Sequence, residues 1–207
     1  MSYLGFLNMI SSAAQPRKGE QHLVGVVGFA LAVDDESGAI VRQVVRRVKL
    51  LPERDTDSGW TARYGVNILA PAEDAIEPAQ AAAEAISALE GVTQIAAHFV
   101  VFHREQLRLM IDDGGLRFDI LTDLDWFDTM HKSTAICAIP GKVGRAFKPP
   151  SLAEATHALT GEHLRPLDGL SWQEALLMNL SAVRAIYHRL HGRPTPEHLT
   201  AAQEATL

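Results

Sequence analysis

The stretch VTQIAAHFVVFHREQLRLMI, residues 92–111, decides how this chain folds. Its short apolar run at 95–97 is typical of a buried strand, and Leu107, Met110 and Ile111 recur at the spacing of one helix face. His98 and His103 stand between these two elements. Because an α/β sheet usually carries its site where a strand passes into a helix, both histidines are candidate site residues.

Upstream of this stretch, the sequence predicts strands. Residues 1–10 are expected to form the central strand of a sheet. Two β-branched runs at 22–33 and 39–51 flank the polar sequence DDESG at 34–38, which is typical of a turn. Residues 22–51 are therefore predicted to form a β-hairpin beside the central strand.

Helices dominate the remainder of the chain. The alanine-rich segment 78–89 predicts a helix, with Pro78 in its first turn and Gly91 just past its end. The sequences SLAE at 151–154 and SWQE at 171–174 are capping boxes that predict two further helix starts. Strands, then strand–helix units, then helices predict one α/β domain with a mixed sheet of about five strands flanked by helices. We expect this domain at 1–191 and a C-terminal tail at 192–207.

Composition excludes several classes of protein. The chain of 207 residues is 47% hydrophobic and 21% charged, as in a soluble globular protein. Its net charge of −6 argues against a protein that coats nucleic acid through bulk charge. No apolar run approaches the roughly 20 residues that span a bilayer, so no membrane partner is expected. The single cysteine, Cys137, excludes an internal disulfide and favours a cytoplasmic location, where it would be a small buried side chain.

Several segments, taken in order, carry a resemblance to one family. They are AHFVVFH at 97–103, WFDTM at 126–130, IPGKVGRAFKPPSLAEATHALTG at 139–161 and AVRAIYHRL at 182–190. Together with the hairpin, they resemble the DnaQ-like 3′→5′ exonucleases of the DEDDh group, whose second motif reads "ahN-x-x-FD". The resemblance implies an RNase H-like fold. It also implies hydrolysis by two Mg²⁺ or Mn²⁺ ions held by four carboxylates, with a histidine that activates water.

The positions that match the family's catalytic groups carry other residues. Leu7 and Met9 stand at the first motif, and residues 1–19 contain no Asp or Glu. His103 stands at the second-motif aspartate, while Glu174 and Asn179 stand at the last histidine and aspartate. We expect Leu7, Met9, His103 and Asn179 to converge in one cleft. The resemblance thus implies a pseudo-exonuclease without catalysis and without a metal cofactor.

Binding could survive the loss of catalysis. The loop after the WFDTM segment carries Lys142, Arg145 and Lys148 with no acidic residue between them. With His98, these residues are predicted to contact a nucleic-acid backbone. The expected partner is single-stranded nucleic acid or a replication or repair protein. DNA versus RNA, and the oligomeric state, stay open.

Three alternatives stay open beside this interpretation. A metal-dependent 3′→5′ exonuclease, using Mg²⁺ or Mn²⁺, could have a site rearranged around Asp34, Glu36 and Glu105, although turn chemistry explains Asp34 and Glu36 more simply. His98, His103 and His131 could form a transition-metal site, but lone histidines are commoner. The chain could also be a purely structural interaction protein that kept only the fold.

Overall fold

The computed structural model describes residues 3–12, 24–52, 73–142, 144 and 146–200. Within these ranges the strands are β1 (Tyr3–Ser11), β2 (Val26–Asp34), β3 (Ile40–Arg47), β4 (Val92–Ala97) and β5 (Asp125–Asp128). The helices are α1 (Pro78–Ala88), α2 (Val100–Asp113), α3 (Thr129–Cys137), α4 (Leu152–Thr160) and α5 (Trp172–Leu190), with a 3-10 helix at Phe118–Leu121.

The strands form one mixed sheet in the order β3-β2-β1-β4-β5. β1 is central: it pairs antiparallel with β2 and parallel with β4, and β4 pairs parallel with β5. β2 and β3 form the antiparallel hairpin. The predicted mixed α/β sheet, with its central first strand and adjacent hairpin, is confirmed. The carboxyl ends of β1, β4 and β5 lie along the same side of the sheet, which we call the carboxyl edge.

Each face of the sheet buries its own apolar cluster. Leu7 and Met9 of β1 pack in the cluster that contains the buried side chains of α1 and α2. Phe6 and Ile10 pack in the cluster that contains Leu176 and other apolar side chains of α5. This division follows from the two-residue period of a strand, which sends alternate side chains to opposite faces. The sheet therefore separates α1 and α2 from α5.

Small residues let α1 and α2 approach closely. α1 buries Ala81, Ala82, Ala85 and Ala88. At the end of α2, a Cβ added to Gly114 would lie 2.8 Å from the Cβ of Ala82 and 3.0 Å from the Pro78 carbonyl oxygen. Gly114 has a φ of −75°, so space, not backbone conformation, requires glycine here.

Both predicted capping boxes are present. The Ser151 hydroxyl accepts from the Glu154 N–H and begins α4, and the Ser171 hydroxyl accepts from the Glu174 N–H and begins α5. In each box the glutamate side chain also accepts from the backbone N–H of its serine. These bonds satisfy N–H groups that a helix start otherwise leaves unpaired.

The hairpin turn differs from the prediction. Asp35 carries the turn: its Oδ1 accepts from the N–H and hydroxyl of Ser37 and from the N–H of Ala39. Those bonds, the Ser37 hydroxyl first, lower the pKa of Asp35. Asp34 is instead the last residue of β2 and is fully buried. Its side chain points away from the turn, because the strand period places consecutive residues on opposite faces.

The segment after α5 packs back onto the domain. Leu199 is buried in the same cluster as Phe6 and Leu176. Its N–H donates to the Ser181 hydroxyl on α5, and the Gln43 amide of β3 donates to the Thr200 carbonyl. Over the part of the chain that the structure describes, no helix is both long enough and apolar enough to cross a membrane.

Candidate functional site

Two helices begin at the carboxyl edge. α2 begins at Val100, three residues after β4 ends, and α3 begins at Thr129, directly after β5. The β1–β4 register places Phe6 opposite Ala96, so Asn8 stands level with His98. In α/β sheets, such a junction of strand ends and helix starts is the usual place for a ligand.

The Asp128 carboxylate joins the two helix starts. Oδ1 accepts from the N–H groups of Met130 (2.9 Å), His131 (3.1 Å) and Phe99 (3.3 Å). Oδ2 accepts from the N–H of Val100 at 3.1 Å. An acidic group is stabilised at helix N-termini by such bonds. Sequence reasoning missed this residue, although an aspartate directly before a helical segment is an N-cap signal.

His98 ties a distant loop to the carboxyl edge. Its Nε2 lies 3.1 Å from the Pro150 carbonyl oxygen, and its Nδ1 lies 3.1 Å from the Thr129 hydroxyl. Because a carbonyl only accepts, Nε2 carries the proton in this contact. Burial lowers the pKa of His98, against smaller raising effects of the Pro150 carbonyl and the Asp128 charge. His98 is therefore a neutral side chain that fastens the loop ending at Pro150.

His103 lies buried in the first turn of α2. Burial lowers the pKa of its imidazole to about 4, with a smaller lowering effect from the nearby His98. The imidazole is therefore neutral near pH 7. Its Nδ1 has no hydrogen-bond partner among the described residues. A neutral, buried imidazole offers one nitrogen lone pair and no negative charge, which suits Mg²⁺ poorly.

The predicted convergence of Leu7, Met9, His103 and Asn179 is wrong. Leu7 and Met9 lie under α1 and α2, while Asn179 lies on α5, across the sheet. The polar side chain that β1 presents toward α5 is Asn8, whose Nδ2 lies 3.5 Å from the Leu176 carbonyl oxygen. The strand period explains the error, since an assignment shifted by one residue changes the face.

Glu174 serves as the third residue of the α5 capping box. Its carboxylate accepts from the Ser171 N–H and hydroxyl, each at 2.8 Å, and these bonds lower its pKa. This arrangement explains the glutamate without a catalytic role. Asn179 is half-buried further along the same helix.

The three acids of the rearranged-site alternative form no metal-binding group in the part of the chain that the structure describes, and Glu36 lies exposed in the hairpin turn. Asp34 pairs with Leu4 in the sheet, so it lies at the amino end of β1, opposite the carboxyl edge. Its carboxylate binds Arg184 at 2.8 and 3.0 Å. Glu105 lies on α2 and binds Arg108 at 2.8 Å. Within the described ranges, no three or more His, Cys, Asp or Glu side chains form a group that could hold a metal ion. That finding also disfavours the site of His98, His103 and exposed His131.

The basic loop is a short hairpin beside His98. The Lys148 N–H donates to the Ile139 carbonyl, and Pro140 bridges to Phe147. Lys142 is exposed. The Lys148 ammonium binds both oxygens of Glu154, at 2.8 and 2.9 Å, so its charge is compensated by an acid beyond the loop. Arg145, the remaining predicted contact, lies outside the described residues.

Comparison with solved structures identifies the fold. E. coli exonuclease I in complex with a dT13 oligonucleotide matches with a TM-score of 0.71 and 15% identity, over 93% of this chain and 42% of that chain. The product-bound structure of exonuclease I matches with a TM-score of 0.69 and 15% identity, over 93% of this chain and 44% of that chain. The fold is that of exonuclease I. It is an RNase H-like α/β fold, as the family-like segments predicted.

The likeness is confined to the fold. An ExoI/SSB-Ct complex matches with a TM-score of 0.69 and 16% identity, over 93% of this chain and 41% of that chain. The chain thus spans less than half the length of these structures. No protein-family model and no curated protein matches the sequence.

Proposed function

We propose that this chain is an exonuclease-fold module that binds single-stranded nucleic acid at the carboxyl edge without cleaving it. One observation carries the proposal: beside Asp128, whose carboxylate already accepts four backbone N–H bonds, the described strands and helices bring neutral donors and acceptors to this edge. Asn8, His98 and His103 stand there, beside the Thr129 hydroxyl.

The residues present do not fit the two-metal chemistry that the fold family implies. Mg²⁺ and Mn²⁺ require several anionic oxygen ligands. Asp128 is the carboxylate that caps both helix starts, and both of its oxygens accept backbone N–H bonds. A metal ion would have to displace those bonds and would find neutral imidazole and amide groups beside it.

The same set of side chains at the carboxyl edge favours binding of a nucleic-acid strand. Carboxylates that are not coordinated by metal repel phosphates, and this cost is smaller where the carboxylate at the edge, Asp128, is bound by backbone N–H groups and the side chains beside it are neutral. Exposed Lys142 lies in the loop that His98 fastens to this edge through Pro150. With a net charge of −6, attraction to phosphate must come from such local cations. A dT13 oligonucleotide is present in one exonuclease I structure of this fold, which is compatible with this proposal.

Titration of fluorescently labelled single-stranded DNA and RNA at several salt concentrations tests binding. We expect affinity to fall with salt, and the slope of log K against log salt to shrink by about 0.7 when Lys142 becomes Ala. Changing Lys142, Arg145 and Lys148 together should flatten it further. Arg117→Ala is the matched control. It also removes one positive charge, but from an exposed arginine that lies beyond the far end of α2.

Incubation of the same strands with Mg²⁺ or Mn²⁺ tests catalysis. We expect no shortened products. Degradation that Asp34→Ala abolishes, at a temperature where this variant is still folded, would instead support the rearranged exonuclease. An absence of salt-sensitive binding to every strand would favour a replication or repair protein as the partner. A cytoplasmic location belongs to the same proposal.

A further inference from the structure

Phe99 has an unusual combination of exposure and backbone conformation. It is the N-cap residue of α2, with φ 73° and ψ 67°, in the left-handed region. Its side chain offers no cap hydrogen bond to the helix, and the residue is 46% exposed. A large apolar side chain at a left-handed, exposed position is uncommon, since this conformation suits Gly, Asn or Asp.

The local structure holds Phe99 in this conformation. Asp128 accepts from the N–H groups of Phe99 and Val100, which fixes the peptide planes on both sides of the Phe99 α-carbon. On its other side, His98 is buried and bonded to Thr129 and Pro150. Asparagine stands here in the family motif and would satisfy the same backbone at lower cost. The phenyl ring is therefore not needed to form the turn.

The ring lies on a small apolar surface at the carboxyl edge. The ring of Phe102 lies nearly parallel to it, at an interplanar angle of 8° and a centroid distance of 6.3 Å. Val101, between them in sequence, is 72% exposed. The loop that carries Lys142 ends at Pro150, which contacts His98 next to Phe99. The loop with this exposed cation is thus bound to the residue that directly precedes Phe99.

We propose that Phe99 is a base-stacking residue, which receives an unpaired base of a single strand on its exposed ring while Lys142 meets the phosphates. This inference rests on the proposed function. A stacked base needs one ring face, whereas a stable protein interface buries about 800 Å² on each partner, far more than this small surface offers. An exposed cation such as Lys142, in the loop bound to His98, complements the charge of a strand and adds nothing to an apolar protein contact.

Substitutions at Phe99 separate stacking from folding. Phe99→Asn relieves the left-handed strain but loses the partly buried ring, so its melting temperature should stay within a few degrees of the wild type. We expect its affinity for a single-stranded oligonucleotide to fall about tenfold, with the salt slope unchanged, because no phosphate contact is lost. Phe99→Tyr should bind like the wild type, and Phe99→Leu like Phe99→Asn.

Two further measurements make the test specific. Val101→Thr is the matched control, because it makes a more exposed side chain without a ring polar at nearly constant shape, and it should leave affinity unchanged. A 2-aminopurine base in the oligonucleotide should lose fluorescence on binding to the wild type, and much less on binding to Phe99→Asn. The wild type must first bind strands in a salt-sensitive way; if it does not, the proposed function itself fails.

If the wild type binds but Phe99→Asn binds equally well, stacking at Phe99 is wrong while the module still binds nucleic acid. Equal losses for Val101→Thr and Phe99→Asn would also overturn it, since they would point to a general apolar contact such as a protein partner makes.

Discussion

Replacing Asp34 with alanine tests whether this acid is structural or catalytic. Its side chain is 1% exposed, and those of Arg184 and His188 are 3% and 5% exposed. Arg184 Nε lies 2.8 and 3.0 Å from the two carboxylate oxygens, and His188 Nε2 lies 3.1 Å from one of them. Asp34→Ala would leave the guanidinium buried with the carbonyl oxygens of Gly38 and Glu197 as its remaining partners.

Breaking a buried ion pair by removing one partner typically costs about 3–5 kcal/mol. In a chain of this size, that loss corresponds to a melting temperature lower by about 6–20 °C. Urea unfolding followed by circular dichroism gives the free energy directly. The matched control is Asp35→Ala, the neighbouring exposed acid of the turn, which should cost much less. Changing Arg184 to Met in the Asp34→Ala background should recover part of the loss, because it removes the unpaired charge.

A loss below about 1 kcal/mol for Asp34→Ala would refute this reasoning, since it would mean that the buried charge finds another partner. It would also be refuted if Asp34→Ala and Arg184→Met each caused a large loss of unfolding free energy and the double variant lost the sum of the two. At a temperature where both proteins are folded, Asp34→Ala should bind oligonucleotides as the wild type does.

Three further outcomes follow from the structure. The pKa of His103 falls from 6.5 to about 4 on folding. Between pH 6.5 and pH 4, the imidazole therefore binds a proton in the unfolded chain and not in the folded one. The free energy of unfolding should therefore fall by about 3 kcal/mol as pH drops from 6.5 toward 4, and urea unfolding at several pH values should show a flatter curve for His103→Leu. Gly114→Ala should lower stability by about 1–3 kcal/mol through its clash with α1, measured by thermal unfolding. Asp128→Ala should cost about 1–4 kcal/mol, because two helix starts lose their cap, and Asp128→Asn should cost less.

The exposed and partly exposed acids contribute little to the pH dependence of the free energy of unfolding above pH 5. Bonds to Arg108 lower the pKa of Glu105, and a bond to Lys148 lowers that of Glu154, both from an ordinary 4.5. Groups of this kind contribute stability that is lost only as pH falls below 4.5. Burial lowers the pKa of His98 as well, so some slope should persist in His103→Leu.

Local sequence determined the elements and their order. The alternation of apolar residues, the turn composition at 34–38 and the two capping boxes each act over a few residues, so they can be read without knowledge of the fold. The family-like segment at 97–103 likewise predicted the junction of β4 and α2 at the carboxyl edge. The segment at 126–130 predicted a loop, whereas α3 begins there directly after β5.

Tertiary packing alone decided which side chains meet. The sequence alone did not determine which side chains of β1 face α5. An assignment shifted by one residue places Leu7 and Met9 on that face instead of Asn8. Asp34 finds Arg184, 150 residues away, only when α5 packs on the sheet. Burial then determines what these groups bind. An unpaired charge that is removed from water is costly, and a buried polar group can bind only the partner that packing places beside it.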